Sequence, residues 1–164
     1  MKNRRFVWQK GATLVELLVI MGVIGILARL VTLDLFRGQQ RASLTVTKDV
    51  LISDIRKQQH RAMEGVTSTP GVYLDYSVRF ENQRYILYPG VVYDSENLAN
   101  EIVPLEPILR FDPIDIPEST ITFSRLSGEI RGFDDINNRV TVKNIQTGNQ
   151  FVIQMNALGV PFVE

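Results

Sequence analysis

The residues whose chemistry stands out are gathered at one end of the chain. Gly11 is followed by Ala12, Thr13, Leu14, Val15 and Glu16, and Glu16 is the sole ionisable side chain from 12 to 28. An ionised carboxylate inside an apolar helix costs about 2–3 kcal/mol or more unless it meets a partner. The chemistry this places at Glu16 is therefore charge pairing rather than bond making. Ahead of the run, Lys2, Arg4, Arg5 and Lys10 form a basic leader with no acidic residue. Positive charge before an apolar helix holds that end in the cytoplasm and sends the downstream chain across the membrane.

Elsewhere the chain offers little to catalysis. It has no Cys, which excludes a disulfide framework, a thiol nucleophile and a thiolate metal site. His60 is the single histidine and falls in a helical pattern, where a surface or packing role is expected. Ser127, Gly128 and Glu129 read as a turn without triad partners. Asp134, Asp135, Asn137 and Asn138 make an oxygen-rich loop, but their spacing matches no calcium loop. Asp112 and Asp115, flanked by prolines, read as solvated turn residues. The expectation is no enzyme, no catalytic residue, no cofactor, no metal and no small-molecule substrate.

The elements that would position Glu16 emerge from the hydropathy pattern. Leu14 to Leu33 is twenty positions, which at about 1.5 Å each reaches about 30 Å, one hydrocarbon thickness. Arg29 interrupts the run near its far end and would snorkel to the interface. Gly22 and Gly25 offer close helix approach, though not at GxxxG spacing. A secretory signal peptide would end in a small-residue cleavage site behind a shorter apolar core, and this chain has none there. From 41 to 63 there is neither Pro nor Gly, and Leu44, Leu51, Ile55 and Ala62 recur at helical spacing with Ile52 alongside. Lys48, Arg56, Lys57 and Arg61 take other faces, as on an amphipathic helix laid on a domain. Gly38 is a candidate break between the two helical stretches, and Gly65 a candidate stop.

Beyond Gly65 the pattern turns to short β segments. The apolar or aromatic runs are 72–76, 85–88, 120–123, 139–142 and 151–155, bounded by turn residues such as Pro70-Gly71, Pro89-Gly90, Asn137-Asn138 and Thr147-Gly148-Asn149. The last two runs read as a hairpin, and 158–163 as a terminal edge segment because Pro161 removes a donor. The proline-punctuated stretch 103–117 reads as irregular. The fold class expected is α+β, divided into a leader 1–11, a transmembrane and assembly helix 12–36, an amphipathic stalk helix 37–65 and a β-rich globular domain 66–164.

The string Gly11-Ala12-Thr13-Leu14-Val15-Glu16, behind its basic leader and ahead of its apolar run, resembles the class III signal of type IV prepilins and type II secretion pseudopilins. Ala12 stands where that family most often has phenylalanine. The resemblance implies cleavage by prepilin peptidase after Gly11, N-methylation of Ala12, and pairing of Glu16 with the N-terminus of a neighbouring subunit during filament assembly. The stretch 50–65 leading into a strand is similar to minor pseudopilins of the GspH/FimT kind, which implies a pilin-like fold with the stalk helix packed on two β-sheets. The partners implied are prepilin peptidase, other pilin or pseudopilin subunits and the cytoplasmic (inner) membrane, with a single pass, the N-terminus inside and the globular domain periplasmic or extracellular. Retention of Glu16 argues weakly against a place at the extreme filament tip.

Charge bears on nucleic acid. Loss of the leader would leave 14 basic against 18 acidic residues, a net charge of −4. Residues 146–164 contain no Lys or Arg, and Arg56, Lys57 and Arg61 read as a solvated helix face, so no direct nucleic-acid binding is expected. The competing class is a single-span, membrane-anchored protein displaying an exported β-rich binding module.

Overall fold

A computed structural model describes residues 13–65 and 73–163, with 30–42 described by backbone alone. Helix α1 spans Leu14–Glu64. It begins where Thr13 caps it: the Thr13 hydroxyl accepts the Glu16 N–H at 3.3 Å, and the Thr13 carbonyl accepts Leu17 N–H at 3.1 Å. It ends where Gly65, at φ 64°, turns left-handed and donates its N–H to Arg61 O at 3.1 Å. A Cβ at Gly65 would run into the Tyr73 ring, so glycine is needed there for space as well as for φ. The expected break at Gly38 is absent, and the helical backbone passes through it. One glycine costs a helix only about 1 kcal/mol, which neighbouring turns absorb.

Packing divides the chain between Gln40 and Arg41. The unit that starts at Arg41 contains the second part of α1 and eight strands: β1 (Tyr76–Glu81), β2 (Arg84–Pro89), β3 (Glu101–Pro104), β4 (Leu109–Asp115), β5 (Thr120–Phe123), β6 (Arg139–Asn144), β7 (Gln150–Met155) and β8 (Pro161–Val163). They form two four-stranded antiparallel sheets, ordered β3-β2-β1-β5 and β4-β6-β7-β8. The fold class is α+β.

Two expectations are corrected. Of the run expected at 72–76, residue 72 lies outside the described residues, 73–75 are not strand, and β1 begins at Tyr76 and continues to Glu81. Tyr76, Val78 and Phe80 enter the core while Ser77 and Arg79 lie between them, so the strand is written in alternation and not as an apolar run. The stretch 103–117, expected to be irregular, holds the end of β3 and all of β4. Its prolines are compatible with strands because of where they sit. Pro104 closes an edge strand, and Pro113 falls at the register shift of another edge strand, between Phe111 and Ile114. Asp112 and Asp115 accordingly belong to β4 and not to turns.

One core joins α1 to both sheets. Leu44, Leu51, Ile55 and Ala62, the expected helix stripe, are all buried, with Ile52 packed against them. Across from them Phe80 and Tyr85 of the first sheet meet Phe111 of the second edge-on, at centroid distances of 5.4 and 6.2 Å. The end of α1 is tied to the far loops by Gln59, whose Nε2 donates to Gly128 O at 3.0 Å and Leu158 O at 2.6 Å.

Candidate assembly helix

The first turns of α1 place the residues singled out in the sequence. Glu16 lies in the first turn, three residues past the Thr13 cap, so its carboxylate sits at the positive end of the helix dipole. Among the described residues it forms no ion pair. Gly11 and Ala12 lie outside the described residues.

Around Glu16 the helix is apolar on every side. Eleven side chains from Leu14 to Leu27 are exposed by 51 to 76%. Fully burying each would be worth about 1.5–3 kcal/mol, so such a surface is a strong demand for a covering environment. Additional Cβ atoms at Gly22 and Gly25 would meet nothing within 4 Å, so among the described residues no contact requires either glycine. Arg29 is exposed, and the residues from 30 to 36, which complete the expected span, are described by backbone only. Among the described residues, no helix is long and apolar enough to cross a membrane.

The second part of α1 uses its polar residues to fix itself to the sheets. Gln58 is fully buried within the apolar stripe; its Nε2 donates to Ser77 O at 3.2 Å and its Oε1 accepts from Arg61 at 3.3 Å. Tyr85 donates its hydroxyl proton to Asp54 Oδ2 at 2.6 Å. Burial, and then this bond to a carboxylate, push the Tyr85 phenol well above its ordinary range. Lys57 reaches Glu101 of β3 at 3.0 Å, and Ser43 donates to Glu106 at 2.6 Å. Of the residues read in the sequence as a solvated face, Arg56 and Lys57 are exposed, Lys57 with its ammonium against Glu101, and Arg61 is half-buried against Gln58. Spacing signals Gln58 in retrospect, since it continues the stripe of 51, 55 and 62. Nothing local signals the Tyr85–Asp54 pair.

The remaining sequence candidates are accounted for by local contacts. His60 is exposed and lies 3.6 Å from Glu64, one turn on. Asp134 spends Oδ2 on the Asn137 amide at 2.8 Å and Oδ1 on the backbone N–H groups of Ile136 and Asn137. These bonds, the Asn137 side chain first, hold its carboxyl below the usual range. Ser127 Oγ accepts Glu129 N–H at 3.3 Å within a turn. Among the described residues no three His, Asp or Glu side chains gather as a metal site. Comparison of the chain with protein-family models, with curated proteins and with solved structures gives no match in any of the three.

Proposed function

We propose that this chain is a structural subunit, of the minor class, in a type II secretion pseudopilus or type IV pilus. The observation that carries the proposal is the exposed, all-round apolar start of α1 with one carboxylate in its first turn, directly behind Gly11 and Ala12. The α+β architecture supports it: a long helix whose second part packs on two antiparallel sheets is what a pilin-like fold requires.

In this reading the basic leader keeps the N-terminus inside the inner membrane and the sheet domain is exported. Prepilin peptidase cuts after Gly11, and Ala12 becomes the methylated N-terminus. The new amine then pairs with Glu16 of a neighbouring subunit. At 4 Å and an effective dielectric of 20 that attraction is about 4 kcal/mol before desolvation is subtracted. The same pair sets the register, because a slip of one turn would leave both charges buried and unpaired. The Thr13 cap contributes by fixing the helix start, and with it the height of Glu16 above the N-terminus.

Replacement of Glu16 by Ala tests the reading. In cells with the assembly machinery, the variant should insert in the membrane at the normal level while its amount in sheared filaments falls about tenfold or more. Normal insertion with undiminished filament content would instead favour an anchored protein that displays its β-rich domain as a binding module.

A further inference from the structure

The outer face of the first sheet carries a feature that neither the core nor the helix uses. Segment 90–100 leaves β2 and folds back over this face before β3 begins. Ser77, Ile86 and Tyr88 are buried there although they point away from the main core. Ser77 Oγ pins the start of the segment by donating to Gly90 O at 2.6 Å, and within the segment Asn100 Nδ2 donates to Asp94 O at 2.6 Å. Tyr93 lies edge-on to Tyr88 at 5.4 Å between centroids, and the Arg79 guanidinium stands 5.2 Å from the Tyr93 ring centre.

Between this segment and β5 runs a groove of ≈ 500 Å³, walled by Tyr88, Tyr93, Val91, Val92 and Pro117. It shares Val91 and Arg131 with a second hollow of ≈ 550 Å³ that includes Asp75 and Arg125. Three arginines, Arg79, Arg125 and Arg131, therefore line one path, with Asp75 and Glu118 as its carboxylates. Asp75 is already engaged, by Arg131 at 2.9 Å and by the Arg125 N–H at 2.8 Å. The bond to Asp75 from Arg125 is its backbone N–H, and its guanidinium reaches only the Tyr73 carbonyl at 3.5 Å, so Arg79 and Arg125 are the two cations of the path without a close carboxylate. Arg79 shares Glu81 with Arg84: Arg84 holds Oε2 at 2.6 Å, and Oε1 stands 3.6 Å from the Arg79 Nε, an ion pair too long for a hydrogen bond. That Nε is enclosed and has no hydrogen-bond acceptor. A guanidinium held against an aromatic face keeps its charge and its planar fork, the geometry that receives a carboxylate.

We propose that this groove binds an extended acidic polypeptide segment of a partner, with one of its carboxylates received by Arg79. Tyr93, Val91 and Val92 give apolar walls to the segment's neighbouring side chains. A nucleic-acid backbone fits less well, because it calls for a row of uncompensated cations, and Arg131 already has its counter-ion. The proposal does not rest on filament assembly, since every residue of the groove lies in the unit that starts at Arg41.

The test is fluorescence anisotropy of fluorescein-labelled hexaglutamate titrated with the full chain in detergent micelles. Saturable binding is expected, weakened about tenfold or more by Arg79→Gln, as for loss of a charge-assisted hydrogen bond. Val92 is 82% exposed, so Val92→Asp puts a negative charge beside the groove without disturbing the fold and should also weaken binding. Arg139→Gln, which removes an equal charge from the other sheet, should change binding less than about twofold. The Glu16→Ala chain should bind the peptide normally, which separates this inference from the assembly reading. Absence of saturable binding, an equal loss in Arg139→Gln, or tighter Arg79-dependent binding of labelled oligothymidylate would overturn the proposal.

Discussion

Within α1, Leu51, Ile55 and Ala62 are completely covered, while Leu18, Ile24 and Ile26 are more than half exposed. Both stretches are rich in aliphatic residues and both are helical, so neither composition nor secondary structure separates them. Periodicity does. From 44 to 62 the buried apolar residues form one stripe, with Val46 and Val50 exposed outside it, and the chain supplies the matching surface from its own two sheets. From 14 to 27 they occupy every face, and a helix of that kind is stable only when surrounded. The contrast teaches that one continuous helix can address two environments, its own domain at one end and an external apolar phase or neighbouring helices at the other. The lone Glu16 lies in that exposed stretch, and in the proposed assembly its charge would serve as a register mark.

The largest effect that would sharpen this contrast comes from equal truncations in the two stretches. Ile55→Ala should lower the stability of the folded domain by about 2–5 kcal/mol through lost burial and a residual cavity. Ile24→Ala, an identical deletion on the exposed stretch, should change it by less than about 0.5 kcal/mol. Urea denaturation of the full chain in detergent, monitored by far-ultraviolet circular dichroism, measures both. Similar losses in the two variants would break the comparison.

A smaller effect is expected at the bond between α1 and β2. Tyr85→Phe removes the donor to Asp54 and should cost about 1–1.5 kcal/mol in the same assay. Its pH dependence has a definite sign. The folded phenol ionises above its ordinary value of 10.0, so its contribution is intact below about pH 10 and is lost as pH rises beyond that, where only the unfolded tyrosine ionises readily. The wild type should therefore lose stability on the alkaline side more steeply than the phenylalanine variant. The smallest effect belongs to the Lys57–Glu101 pair, which is largely exposed. Lys57→Ala should cost less than about 1 kcal/mol, with the loss shrinking as salt is raised.

Much of this contrast is legible in the amino-acid order, and what is hidden is hidden for physical reasons. The stripe Leu44, Leu51, Ile55 and Ala62 can be read directly because each member is apolar and the spacing is helical. Gln58 interrupts that pattern in chemistry but not in position, and only the Ser77 carbonyl opposite explains a buried amide there. Strands β2, β5, β6 and β7 announce themselves as aliphatic or aromatic runs. β1 does not, because its outward residues are polar, and β4 is disguised by prolines that an edge position tolerates. The Thr13 cap of Glu16 has a recognisable Thr-x-x-Glu order. The groove beside Tyr93 has no such signature: Arg79 is far in sequence from Arg125 and Arg131 and joins them only through the pairing of β1 with β5 and the return of the chain at 130–132.

The most direct test of the central claim is the N-terminus of the chain itself. The full-length protein should be produced with and without an active prepilin peptidase, and its intact mass and N-terminal peptide read by mass spectrometry. The account predicts a peptidase-dependent product that begins at N-methylated Ala12. A chain that still begins at Met1 beside a peptidase able to cut a known prepilin would contradict it.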